Sequence, residues 1–223
     1  MKIQQTSLGD QVYSILWDMI ASRKLRPGDK ISDLRLSQEL GISRTPVREA
    51  LHRLTQDGIV RIESRRGFFI PTFSSQDIHE VYDIRCALEV LAVRLALPRL
   101  TRQQLDQEMW NLAQARQKVE QGDPDARDYW LKVDRGFHQL LVDAAQNRRL
   151  AGLIAGLQAQ IAVFQVFGTH FRPINLLSLD HHQVILAALI DHDAPAAEQA
   201  MERHIQEVKG WMLAELAGQS ADT

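Results

Sequence analysis

The stretch LRLSQELGISRTPVREALHRLTQDGIV, residues 34–60, constrains this 223-residue chain more tightly than any other part of it. Apolar residues recur at helical spacing on both sides of Gly41, a residue that accepts the left-handed backbone on which helices end. The pattern reads as a helix from Asp33 to Leu40, a turn at Gly41, an N-cap at Ser43 and a further helix to about Gln56, broken by Asp57-Gly58. Two helices joined by so tight a turn form a helix-turn-helix. Pro46 suits the start of the second helix, where backbone N–H groups have no intrahelical partner. Val47, Ala50, Leu51 and Leu54 share one face and read as buried, while Arg44 and Arg48, four apart, share an exposed one.

That distribution is what major-groove reading requires. A recognition helix enters the groove by its N-terminal end, so the side chains that grip bases and phosphates belong in its first turns, as Arg44, Thr45 and Arg48 are. Upstream, residues 8–23 read as a helix with Val12, Ile15, Leu16, Met19 and Ile20 on one face, followed by a turn at Pro27-Gly28. Downstream, IVRIE and GFFIP read as two strands joined by SRRG, and Arg65 and Arg66 beside Gly67 suit a wing that touches DNA backbone or minor groove. Residues 1–73 carry 12 Lys/Arg against 8 Asp/Glu, and the remainder 14 against 20, so only the front of the chain is suited to a polyanion. A helical hairpin with a solvated basic face is the plain alternative. Turn residues, helix-start arginines and a basic hairpin tip together favour a winged helix that binds DNA.

After Thr72 the pattern becomes long amphipathic helices with no convincing strand. Ser74-x-x-Asp77 reads as a capping box opening a helix to about Leu97, with a stripe of Ile78, Val81, Tyr82, Leu88, Leu91, Ala92 and Leu95. Thr101-x-x-Gln104 opens a second helix to about Gln121. Others follow to about Ala145, over 148–167, from about Leu177 to Asp191 after Pro173, and from Asp193-Ala194-Pro195 to about Leu216. Six helices suffice for a bundle with its own core. The expected fold is mainly α: a winged helix-turn-helix of three helices and a β-hairpin over 1–73, an all-helical domain over 74–217, and a tail over 218–223. No apolar run approaches the ~18–20 residues that span a bilayer, and the first residues lack an apolar signal core. Cys86 is the only cysteine, which fits a reducing cytoplasm.

In the helical part, Asp134 and His138 are four apart and project from one helical face, while His182 and His204 lie on the last two helices. Facing helices can bring one carboxylate and three imidazoles together, a donor set suited to Zn, Ni or Mn; chance spacing of structural side chains is the other reading. His79, His170 and His192 read as surface residues. Arg85 can pair with an anionic ligand or with Glu89 one turn away. Asn147 reads as helix punctuation rather than a ligand-binding group. Trp130, Phe164 and Phe167 suit either a cavity lining or the core. Three functions are compatible with these features. One is a ligand-responsive transcription factor; another is a metal-dependent, hydrolase-like enzyme that activates water at the four residues; the third is a DNA-binding protein with a helical domain serving only dimerisation. No further Glu, Lys or Tyr is clearly placed as a general base, which weighs against the enzyme.

SRTPVREALHRL (43–54), with Arg35, Asp57-Gly58 and Arg66-Gly67-Phe68, resembles the winged-helix domain of the GntR superfamily of transcription regulators over residues 8–71. IRCALE (84–89), DRGFHQLLVDAAQN (134–147) and HQVILAALIDHDAPAAEQAMERH (182–204) resemble the FCD effector domain of FadR-like members over residues 78–208, in the six-helix, VanR-type form. The resemblance implies DNA contacts from Arg35, Ser43, Arg44, Thr45, Arg48, Arg66 and Gly67. It implies metal ligands at Asp134, His138, His182 and His204, with His182 favoured over its neighbour His181 because the following apolar pattern then keeps phase. It also implies a small effector, a carboxylic acid that Arg85 would meet. One winged helix grips only a short half-site, so a homodimer on an inverted-repeat operator is expected.

Overall fold

A computed structural model describes residues 7–22, 24–64, 66–167 and 171–221. Within these residues, packing divides the chain into two compact units: residues up to Ser74 together with Gly156–Phe167, and Ser75–Ala155 together with Gly168 onward.

The first unit opens with α1 (Leu8–Ala21), capped by Ser7, whose hydroxyl accepts from the Asp10 N–H while the Asp10 carboxylate returns to the Ser7 N–H. Then come β1 (Lys30–Ile31), α2 (Asp33–Leu40), α3 (Arg44–Gln56), β2 (Arg61–Glu63) and β3 (Gly67–Phe69). The three strands form an antiparallel sheet in the order β1-β3-β2, with Ile31 and Ile62 both opposite Phe68. Gly41 ends α2 in the left-handed conformation at φ 65°, and Ile42 N–H closes the turn on Ser37 C=O at 3.0 Å. Val12, Leu16, Ile20, Val47, Ala50, Leu51, Leu54, Ile59 and Ile70 make the core beneath the helix-turn-helix. Ile15, expected on the buried face of α1, is exposed instead. The core stripe runs 12-16-20 at i+4 spacing, which leaves position 15 at its margin.

The second unit is helical among its described residues: α4 (Ser75–Ala96), a 3-10 turn at Leu97–Arg99, α5 (Arg102–Gln121), α6 (Ala126–Ala144), α7 (Arg148–Phe167, its second half packing with the first unit), α8 (Phe171–Ile190) and α9 (Ala194–Ala221). Thr101 and Gln104 form the expected capping box of α5, and Gly122 ends that helix at φ 67°. Asn147 Oδ1 accepts from Leu150 N–H at 3.2 Å and so punctuates the start of α7. Helix α8 starts six residues before the expected Leu177. Pro173 falls in its first turn, where a missing N–H costs no hydrogen bond. The last helix runs to Ala221, past the expected Leu216 and into the segment read as a tail; residues 222–223 lie outside the described residues. Helix α4 packs on α6 and α9, and α8 on α5, α6 and α9. No described helix is long and apolar enough to cross a membrane.

Candidate functional site

Two sites are built, one in each unit. In the first, α3 presents Arg44, Thr45 and Arg48 to solvent from its first turns, while Val47, Ala50, Leu51 and Leu54 are buried behind them. Ser43 stands extended at the N-cap, but its hydroxyl makes no capping hydrogen bond. Both arginines turn to one carboxylate at the start of α2: Arg44 Nη2 donates to Asp33 Oδ2 at 2.8 Å, and Arg48 Nε lies 3.8 Å from the same oxygen. Arg44 holds the Asp33 carboxyl below the usual carboxylate range. Arg35 is exposed on α2 and pairs with Glu39 at 2.7 Å. At the wing, Arg66 pairs with Glu63 at 2.5 Å and lies 5.2 Å from the Phe69 ring centroid. Gly67 takes φ 102°, a conformation that keeps the hairpin tight and that side-chain-bearing residues avoid. Arg65 lies outside the described residues.

In the second unit, four helices converge on a buried polar cluster. Helix α6 supplies Asp134 and His138, α8 supplies His182, α9 supplies His204 and α4 supplies Arg85 and Glu89; all six side chains are buried. The three histidines offer ligand atoms all within 4.8 Å of one another. His182 Nε2 lies 3.3 Å from His204 Nε2 and 3.7 Å from Asp134 Oδ1. Phe137 stacks on the His182 ring at 4.2 Å. Burial first, then the neighbouring imidazoles and Arg85, push His182 and His204 well below the ordinary histidine value, so both stay neutral, the form that binds metal. His181 turns away to Glu207, at 3.2 Å.

Ligands of one small divalent cation, each about 2.0–2.1 Å from it, stand roughly 3–4 Å apart. The cluster therefore fits such an ion after small side-chain adjustments. Neutral imidazoles and a carboxylate are the matching donors, and the Nδ1 atoms of His182 and His204 have no hydrogen-bond partner among the described residues.

Sequence reasoning missed two contacts of this cluster, Glu89 with His138 and Ser178 with Asp134. Glu89 bridges Arg85 and His138: Arg85 Nε donates to Glu89 Oε1 at 2.6 Å, and Glu89 Oε2 meets His138 Nδ1. Burial alone would raise the Glu89 carboxyl, but Arg85 and His138 prevail and hold it well below the usual range. Ser178 Oγ donates to Asp134 Oδ1 at 3.2 Å, and Asn175, one turn earlier on α8, is buried with its Nδ2 unpartnered among the described residues. Their spacing, four and seven residues before His182, was the available signal. Arg85 makes the anticipated pair with Glu89 and also places Nη2 3.1 Å from His138 Nε2. Trp130 is buried, and Phe164 is buried edge-on to Phe73 at 4.7 Å. His79 and His192 are exposed as read. His170 and the Phe167 side chain lie outside the description.

Comparison with known proteins covers both units. Residues 8–70 match the gntR family of bacterial regulatory proteins, and residues 80–207 match the FCD domain. The chain is 32% identical over 202 residues to the HTH-type transcriptional repressor RspR of Escherichia coli, covering 90% of this chain and 87% of that one. An uncharacterized HTH-type regulator of Bacillus subtilis, YdhC, is 33% identical over 65% of this chain and 63% of its own length. Among solved structures, E. coli McbR/YncC superposes with a TM-score of 0.76 at 25% identity, covering 93% of this chain and 98% of that one. A winged helix and a helical ligand-sensing domain in one chain define a DNA-binding transcription regulator, and an enzyme is set aside. The chain belongs to the GntR family, in the group that carries an FCD domain.

Proposed function

We propose that this regulator holds one divalent transition metal, Zn, Ni or Mn, through Asp134, His138, His182 and His204, and that a small carboxylic acid bound there changes its grip on an operator. The convergence of these four side chains from three helices carries the reading. When bound, the metal supplies a positive centre for the acid. The chain's own residues do the rest. Arg85 offers a buried guanidinium beside His138, Asn175 offers a buried amide that a ligand oxygen can satisfy, and Ser178 orients Asp134. In this reading Arg35, Ser43, Arg44, Thr45, Arg48, Arg66 and Gly67 contact DNA, residues 1–73 are the DNA-binding domain, and 74–217 sense and dimerise. One winged helix spans only a short half-site, so the working form is a cytoplasmic homodimer on an inverted repeat.

The test is elemental analysis of protein purified without a His-tag, then a thermal-shift screen of metabolite acids on metal-loaded protein, with each hit assayed for its effect on operator binding. A copurifying or loadable transition metal and an acid that shifts DNA affinity support the reading. Protein that neither retains nor takes up such a metal at neutral pH overturns the site.

A further inference from the structure

The two arginines best placed to read bases share one carboxylate. Asp33, the first residue of α2, accepts from Arg44 Nη2 at 2.8 Å and faces Arg48 Nε at 3.8 Å. Its side chain is only 19% exposed, while those of Arg44 and Arg48 are 54% and 55% exposed. Ion pairs this open to water add little to fold stability, because solvent screens them and ordering long side chains costs entropy. The geometry has another consequence. Arg44 gives Asp33 one nitrogen, and Arg48 approaches it through Nε, so each guanidinium keeps donors for DNA while its direction is set from behind. A flexible arginine must lose its rotamer freedom on binding, and a pre-directed one has already lost part of it. The carboxylate also offsets positive charge where phosphates approach, which weakens sequence-independent attraction.

We infer that Asp33 is a specificity-determining positioning residue: it aims Arg44 and Arg48 at base edges and suppresses their use as general phosphate grips. The inference rests on the assignment of α3 as the recognition helix. The wing supplies an internal control. Glu63, 22% exposed, also holds two arginines, with Arg61 Nη2 at 2.8 Å and Arg66 Nη1 at 2.5 Å, but at a hairpin tip suited to backbone contact. Asp33→Asn and Glu63→Gln each remove one negative charge from the same unit, so any difference between them reports position rather than charge.

The experiment uses the full chain and two probes: a duplex selected by the wild-type protein from a random pool, and a scrambled duplex of the same composition. Affinity for both is measured across a salt series. Asp33→Asn is expected to tighten binding to the scrambled duplex and to cut the ratio of selected to scrambled affinity by roughly tenfold. Glu63→Gln is expected to tighten both and leave the ratio in place. Asp33→Glu, which restores the charge, recovers most of the ratio. Asp33→Ser, also suited to a helix start, repeats the loss if Asp33→Asn folds poorly. Equal changes on both duplexes in the Asp33 and Glu63 variants would show that Asp33 acts by charge alone and overturn the inference. So would an unchanged ratio in Asp33→Asn and Asp33→Ser. An Arg44→Ala variant that binds the selected duplex as tightly as wild type removes the recognition-helix assignment instead, and the inference with it.

Discussion

His138 stands between a carboxylate and a guanidinium, and that placement sets the roles of its two ring nitrogens. Its Nδ1 meets the Glu89 carboxylate and its Nε2 lies 3.1 Å from Arg85 Nη2. A guanidinium only donates, so Nε2 presents a lone pair and Nδ1 carries the hydrogen that Glu89 accepts. His182 and His204 have no partner at Nδ1, so His138 is the one ring of the three anchored from behind among the described residues. Such anchoring typically alters metal affinity about 10–100-fold, the loss expected for Glu89→Gln in a zinc titration against a chromophoric chelator. Glu89→Ala also strands a buried guanidinium, and its denaturant midpoint should report a loss of roughly 3–5 kcal/mol. Unchanged zinc affinity in Glu89→Gln would leave Glu89 a packing partner of Arg85 only. The pair was legible as i,i+4 spacing, but the same spacing on a helix surface is commonplace. What marks Glu89 is its place in the buried stripe of α4, between Tyr82 and Ala92, which only packing on α6 and α9 reveals. On the proposed recognition helix, Arg44→Ala and Arg48→Ala are each expected to weaken operator binding by roughly 1–3 kcal/mol if they read bases. Both are exposed, so their melting temperatures should stay close to wild type.

Helices with local start and stop signals were readable from the chain itself. Helix α2 begins after Ser32, whose hydroxyl accepts from Arg35 N–H at 3.2 Å, and ends at a left-handed Gly41. Helix α5 runs between a capping box and Gly122. Elements defined by tertiary pairing were harder. Strand β1 is two residues long and exists because Lys30 and Ile31 pair with Phe69 and Phe68, more than thirty residues away; no alternation can be seen in two residues. Helix α8 was started late because Pro173 reads as a break, although a first turn tolerates it. The Gly41 turn sets how α3 leaves α2, and an added Cβ there would meet nothing within 4 Å. Gly41→Ala therefore tests backbone conformation alone, with an expected cost of about 1–2 kcal/mol for holding an L side chain at positive φ. Thermal or urea unfolding measures it, and a neutral result would mean the turn relaxes to another conformation.

At the scale of the whole chain, the sequence divides its chemistry cleanly. Positive charge and turn motifs gather before residue 74, while the histidines that converge lie after it. The helical unit places Asp134 and His138 on α6, His182 on α8 and His204 on α9, so a single bound ion would tie three helices whose sequence separation is large. An ion that binds only the folded form stabilises it by about 2.7 kcal/mol at a free concentration one hundred times its dissociation constant. Chelator treatment should accordingly lower the melting temperature of the helical unit, and readded metal should restore it. Coupling to DNA requires only that the acid bind the DNA-competent and DNA-incompetent arrangements with different affinity, typically by about 1–3 kcal/mol. His182→Ala separates these levels. It removes the buried imidazole nearest both His204 and Asp134 while leaving residues 8–70 untouched. The expected variant loses copurified metal and its response to acids, keeps the winged-helix core folded by amide hydrogen exchange, and still binds the selected duplex. Retained metal at wild-type affinity would remove His182 from the ligand set. Loss of the winged-helix protection pattern would show instead that the histidine cluster supports the fold of the whole chain rather than a ligand-controlled part of it.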